Sequence, residues 1–293
     1  MDKLLKSNRY ALFFIGPALL IFVVFGLVPI GFNAYLSFFK TDLMSPAVYC
    51  GLKNYKNLIT DSFFIIALKN NLILILGVLA AHLVFSLFLS YFMFQKPNGV
   101  KFFQAAFFLP SVICGTAIGM LWNFIYHPQF GLLDSLLGAL GLDNITHLWL
   151  AEKETVLPAL MAVTMWQYVG YHMVIQLAAM KNIPPDILEA AHIDGATRRQ
   201  QFFKIVLPLI KNVLGMDAIL IVTGSLKTFD LVFIMTSGGP SHASEVMCTY
   251  MYTQGFKALK FGYSSAIAVV LLLACTIAIW IIKRIAGTES YEY

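Results

Sequence analysis

"EAAHIDGATRRQQFFKIVLP", running from Glu189 to Pro208, gathers charge, glycine and proline inside a chain that otherwise consists of long apolar runs. Pro184 and Pro185, just ahead of it, stop one helix and pre-set the start of another, where a missing N–H costs nothing. Asp186 and Glu189 then fall in the first turns, where the helix dipole favours acids. Ile187, Ala190 and Ala191 give a short apolar face at helical spacing. Gly195 permits a sharp turn, and a second helical piece starts near Thr197. The pattern predicts a compact helix–turn–helix over 182–204 that lies across a membrane surface rather than through it. An interfacial anchor is one reading of such a segment, but anchors favour large apolar residues and basic side chains. Two alanines and two acids suit docking of a protein instead. The alanines allow close approach, and Glu189 offers a carboxylate to an arginine.

Working outward, the whole chain of 293 residues is 59% hydrophobic and 12% charged. Soluble domains carry about 25% charged residues. The net charge of +5 does not point to nucleic acid, because the basic residues form no stripe and cluster at the ends of apolar runs. Cys50, Cys114, Cys248 and Cys275 show no C-x-x-C or Cys/His spacing, so neither zinc nor a disulfide framework is implied. The first apolar run follows Lys3, Lys6 and Arg9 but exceeds a signal-peptide core and lacks an obvious cleavage pattern, which predicts a retained helix.

Six candidate spans follow, at roughly 11–37, 70–94, 102–126, 156–180, 203–226 and 264–283. Each is near the ~20 residues a bilayer requires, and lipid obliges each to be helical. With the N-terminus inside, twelve Lys and Arg fall on inner loops and eight on outer ones. That asymmetry predicts a multi-pass, all-α membrane protein with both termini in the cytoplasm. The helix–turn–helix between spans four and five is then cytoplasmic too. One transmembrane domain over 1–293 is expected, with its core at 66–284.

Polar residues at membrane depth tend to face a cavity. The third span offers Ser111 and Gly115, the fourth Thr164, Trp166, Gln167 and Tyr171, and the fifth Gly224, Ser225 and Thr228. Hydrogen-bonding groups beside aromatic faces are what a sugar needs. The same residues also serve as interfacial belts and helix-packing positions. His82, Asp217 and Asp230 are ionisable groups at depth to which the sequence gives no role.

The opening stretch resembles the EAA motif of permease subunits in binding-protein-dependent ABC importers: Glu-Ala-Ala, then Asp-Gly-Ala, then Phe-x-x-Ile-x-Leu-Pro. "FFIGPALLIFVVFGLVPI", "GLKNYKNLI", "LPSVICGTAIGMLWNFIYHPQFGLLDSLL", "FDLVFIMTSGGPSHASE" and "FKALKFGYSSAIAVVLLL" are similar to the carbohydrate-uptake, maltose-permease-like branch, so the resemblance covers nearly the whole chain. It implies a minimal six-span core in a prokaryotic cell membrane. The partners it implies are a second homologous permease, two ATPase subunits and an extracytoplasmic solute-binding protein. ATP and magnesium would sit on the ATPase, and this chain would carry no cofactor. Glu189, Ala190, Ala191, Asp194 and Gly195 would form the ATPase-coupling segment, and the sugar or oligosaccharide would pass near Trp166 to Tyr171 and Ile221 to Thr228. Ile221 and Gly224 depart from the polar positions of the family, so the cargo need not be maltose-like. A polyol or glycerol phosphate ester is the alternative cargo. A membrane enzyme is disfavoured because the six histidines are scattered one per segment, and a channel would need filter repeats or charged rings.

Overall fold

A computed structural model describes residues 8–286. Lys3, Lys6 and the two chain ends, which the charge count puts in the cytoplasm, lie outside the described residues. The chain divides into two compact units, Met1–Asp61 with Met251–Leu272, and Ser62–Tyr250 with Leu273–Tyr293.

In the first unit, α1 (Asn8–Phe22) continues through a π-helical turn (Val23–Leu27) into α2 (Val28–Leu36). Val28 donates to the Val23 carbonyl, a one-residue widening just ahead of Pro29, whose missing N–H already disturbs the ladder. None of the apolar window in Phe13–Leu36 is buried. A two-residue hairpin, β1 (Phe39–Lys40) with β2 (Val48–Tyr49), is followed by α3 (Lys53–Thr60). Buried Asn54 ties these pieces together by donating to the carbonyls of Ser37 at 2.8 Å and Phe39 at 3.0 Å.

The second unit begins with α4 (Ser62–Phe94), a helix of 33 residues and about 50 Å at 1.5 Å per residue. The apolar pattern predicts its start near 70, with Lys69 in the outer loop, but the helix begins at Ser62 and takes Lys69 in. Asn70 and Asn71 are buried within it. Asn70 donates to the carbonyls of Ala243 and Glu245 at 3.0 and 2.9 Å, and Asn71 accepts from Met247 N–H at 2.8 Å. Their amides cap carbonyls and an N–H that an irregular segment would otherwise leave dry.

The region read as one span over 102–126 is a correction. It is two helices, α5 (Val100–Val112) and α6 (Gly115–Ile125), bent by 101°. Ile113 and Cys114 are extended between them. Pro110 removes one hydrogen bond from the last turn of α5, and β-branched Val112 and Ile113 favour extended backbone. The Ile113 carbonyl freed by the break accepts from the Gln167 side chain at 3.2 Å. After α7 (Leu132–Ala139) comes α8 (Val156–Lys181), which packs on both α4 and α5. At Gly170 a Cβ would stand 1.9 Å from the Phe107 carbonyl oxygen, so only glycine lets α5 and α8 approach this closely.

Then follow α9 (Pro185–Ile193), α10 (Arg198–Gln201), a second π-helical turn (Phe202–Val206), α11 (Leu207–Leu209), α12 (Lys211–Leu226) and α13 (Asp230–Met235). The region 203–226 is therefore not one straight helix either, and Pro208 again lies just past the widened turn. A short α14 (Met247–Tyr252) precedes α15 (Phe261–Ala286), which contributes residues to both units. Among the described residues, four helical stretches are long and apolar enough to cross a membrane, or five if the bent pair is one span. α8 has the length but falls outside that set, because its sequence carries the polar side chains described next.

Candidate functional site: a polar cavity and an exposed helix–turn–helix

Two interrupted helices meet in the second unit. One break separates α5 from α6; the other, Lys227 to Phe229, separates α12 from α13. Asp230, at the start of α13, packs beside Gly115 at the start of α6, where a Cβ would lie 3.3 Å from the Asp230 Cβ. A carboxylate at that end is favoured by the helix dipole. Broken helices inside an apolar body expose backbone and side-chain polarity where a cavity can use it. A cavity of ≈ 370 Å³ opens here, lined by α4, the start of α6, α8, α12 and the start of α13.

Seven of the nine pathway positions read from the sequence line it: Gly115, Thr164, Gln167, Tyr171, Gly224, Ser225 and Thr228. Thr164, Ser225 and Thr228 donate to the carbonyls of Leu160, Ile221 and Gly224, four residues back in each case. Their hydrogens are thereby used, and the hydroxyl oxygens remain available as acceptors. Gly224 widens the space, since a Cβ there would meet nothing within 4 Å. Ser111 and Trp166 are not among the lining residues. Ser111 Oγ donates to the Phe108 carbonyl, and the Trp166 ring packs edge-on against Trp122 at 5.6 Å.

Beneath this surface lie Asp217 and His82, to which the sequence pattern assigns no role. Asp217 on α12 is fully buried. His172 Nδ1–H donates to its Oδ1 at 2.7 Å, and Gln176 Nε2 donates to its Oδ2 at 2.8 Å. Gln176 Nε2 also reaches Ser86 Oγ on α4 at 2.7 Å, and Ser86 Oγ in turn donates to the His82 carbonyl. The network joins α4, α8 and α12 through one carboxylate. His82 and His172 both line the cavity, their rings 4.7 Å apart. The partners of Asp217 lie 41 and 45 residues away in sequence, too far for any local pattern to display. Among the described residues, no group of three or more His, Cys, Asp or Glu is arranged to hold a metal ion.

The helix–turn–helix forms as its local sequence predicts. Pro185 occupies the first turn of α9, and Gly195 has φ +81°, a left-handed geometry that favours glycine. Thr197 caps α10 reciprocally with Gln200. Glu189, Ala190, Asp194 and Gly195 are exposed, while Ala191 is buried. The apolar face predicted from Ile187, Ala190 and Ala191 is thus split: Ile187 and Ala191 turn inward, and Ala190 faces out near Ile193, which is 85% exposed. Met180, Ile183, Phe202, Val206 and Ile210 form the buried seat beneath, with Leu87, Tyr91 and Phe94 of α4 packed on it. The Tyr91 ring contacts Phe202 at 4.2 Å, and its hydroxyl donates to the Arg198 carbonyl at 3.0 Å. Arg198 donates to Gln95 Oε1 at 3.0 Å. The segment is thereby joined to α4, the helix that carries His82.

The family described as "Binding-protein-dependent transport system inner membrane component" matches residues 18–287. A Bacillus subtilis protein named "Probable ABC transporter permease protein YurN" is 38% identical over 263 residues, covering 89% of this chain and 90% of its own length. The "Probable starch degradation products transport system permease protein AmyD" of Thermoanaerobacterium thermosulfurigenes is 30% identical, covering 99% of this chain and 97% of its own. In fold, the chain is similar to one in the crystal structure of a bacterial alginate ABC transporter in complex with an alginate pentasaccharide-bound periplasmic protein. The TM-score is 0.84 at 21% identity, over 98% of this chain and 99% of that one.

Proposed function

The chain belongs to the binding-protein-dependent transport inner membrane components, and from that premise we propose that it is the sugar-translocating permease subunit of an ATP-driven importer. The observation that carries this reading is the cavity. Its lining combines neutral hydrogen-bonding groups (Gln167, Thr164, Ser225, Thr228) with the Tyr168 and Tyr171 rings, the chemistry that suits a polyhydroxylated ring. The name of the AmyD relative agrees with such a cargo. Glycerol phosphate esters fit less well, because Lys227 is the one Lys or Arg in the lining and Asp230 accompanies it.

In this reading the chain crosses the cell membrane six times, with α8 as the additional span. At about 39 Å it is long enough, and its polar side turns to the cavity rather than to lipid. The termini and the helix–turn–helix are cytoplasmic. A second homologous permease completes the pathway, and two ATPase subunits hold the ATP and magnesium. An extracytoplasmic solute-binding protein delivers the sugar. Glu189 pairs with an arginine of the ATPase, while exposed Ala190 lets the groove close and Asp194 and Gly195 set the turn. Movement of α9 and α10 then passes through Tyr91, Phe202 and Arg198 to α4 and through the buried seat to α8. Both helices line the cavity, so one motion alters access to it.

The experiment is uptake by cells that express the importer with its neighbouring genes, with and without this chain. ATP-dependent accumulation of radiolabelled maltose, raffinose or N,N′-diacetylchitobiose that needs this chain is expected. Accumulation of glycerol 3-phosphate instead of all three sugars would overturn the sugar reading.

A further inference from the structure

Resting on the sugar reading, we propose that His82, with Nε2 of His172, forms a deeper hydrogen-bonding subsite of the cavity that grips a pair of hydroxyl groups on the cargo. His82 is 1% exposed and lines the cavity, yet neither of its ring nitrogens has a hydrogen-bond partner. The carbonyls of Thr164 and Met165 are near the ring but not in hydrogen-bonding geometry. Buried polar groups without partners are uncommon in folded proteins and require an explanation. A phenylalanine or leucine would fill such a place without that cost. The rest of the network is satisfied in contrast: Asp217, Gln176 and Ser86 all find partners inside the chain. The unmet capacity is therefore concentrated on the two imidazoles among the lining residues, with both His82 nitrogens lying beneath the cavity surface.

The arrangement also selects the ligand chemistry. Donation from His172 Nδ1–H to Asp217 fixes the tautomer, so Nε2 of a neutral ring is an acceptor. Among the described residues it has no hydrogen-bond partner. His82, neutral, supplies one donor and one acceptor. Two adjacent hydroxyls, each able to donate and accept, match this set. An anionic group would approach the buried Asp217 carboxylate, and an apolar group would leave the ring nitrogens as dry as they are now. The ring centroids are 4.7 Å apart, a span that one small polyhydroxyl unit can bridge.

The test uses the full importer with its partner subunits in proteoliposomes. The probe is whichever of radiolabelled maltose, raffinose and N,N′-diacetylchitobiose the wild type accumulates. His82→Phe keeps the ring and removes both nitrogens, while His82→Gln keeps a donor and an acceptor. The subsite predicts an uptake rate about tenfold lower for His82→Phe, the loss of roughly one good hydrogen bond. It predicts recovery to within about threefold of wild type for His82→Gln. The assembled His82→Phe importer should melt at or above the wild-type temperature. Unchanged uptake in His82→Phe overturns the proposal. So does a failure of that variant to assemble, which would make the ring nitrogens structural. If the wild type takes up none of the three sugars, the sugar reading itself falls, and the subsite falls with it.

Discussion

Replacing His172 with phenylalanine keeps a ring of similar size but withdraws the Nδ1–H that meets Asp217 at 2.7 Å. The carboxylate stays fully buried, with only the Gln176 amide left to it. Leaving a buried acceptor unsatisfied costs about 1–3 kcal/mol and more when the group is charged, so the loss here is about 3 kcal/mol. Asp217→Leu removes the charge instead. It strands His172 Nδ1–H, whereas Gln176 keeps its contact with Ser86, so one unsatisfied donor implies a cost of about 1–3 kcal/mol. The double variant has neither the stranded carboxylate nor the stranded donor. It should therefore be more stable than His172→Phe alone, by about 2 kcal/mol or more. The assay is unfolding of the purified importer in detergent micelles as the SDS fraction rises, followed by loss of helical circular dichroism. Two single costs that are small, equal and additive in the double variant would refute the claim that this network joins α4, α8 and α12.

Four further outcomes follow from particular positions. Tyr171→Ala should lower uptake while assembly persists, because Tyr171 lines the cavity. Trp166→Ala should mainly lower the melting temperature, because that ring packs on Trp122; the reverse pattern in parallel uptake and melting assays would contradict the assignment. Gly170→Val should abolish accumulation of folded protein in the membrane, since its Cβ collides with the Phe107 carbonyl, and fluorescence-detected size exclusion reads this directly. Gly195→Val meets open space but not an allowed backbone, because φ is +81°. A local cost of about 1–3 kcal/mol should leave insertion intact and reduce co-purification of the ATPase, measured by pull-down from detergent extracts.

Much of this architecture was legible in the sequence. Pro185, Gly195 and Thr197 act through backbone geometry within a few residues, so the helix–turn–helix could be read from them directly. The polar faces of the fourth and fifth regions were readable for a similar reason, since apolar surroundings leave polar side chains few places to go. The break at Ile113 and Cys114 was hidden, because apolar composition continues across it and only Pro110 and Gly115 hint at it. The early start of α4 was hidden by Lys69, whose charge reads as the end of an outer loop although the helix runs through it from Ser62. Trp166 shows the same limit within one helix. Apolar residues occur on every side of α8, so spacing alone does not tell a group that faces the cavity from one that packs on a neighbouring ring.

The central claim is that the exposed Glu189 segment couples a separate ATPase to sugar movement through this chain. It is tested most directly by ATP-driven accumulation of a radiolabelled neutral sugar in proteoliposomes that contain both permeases, the ATPase and the binding protein. Wild type is compared with Glu189→Arg and with Glu189→Arg paired with an acidic replacement of the ATPase arginine it would meet. The account predicts loss of accumulation and of sugar-stimulated hydrolysis together in the single variant, and partial return of both in the pair. Full accumulation by Glu189→Arg, with the ATPase still bound, would contradict it.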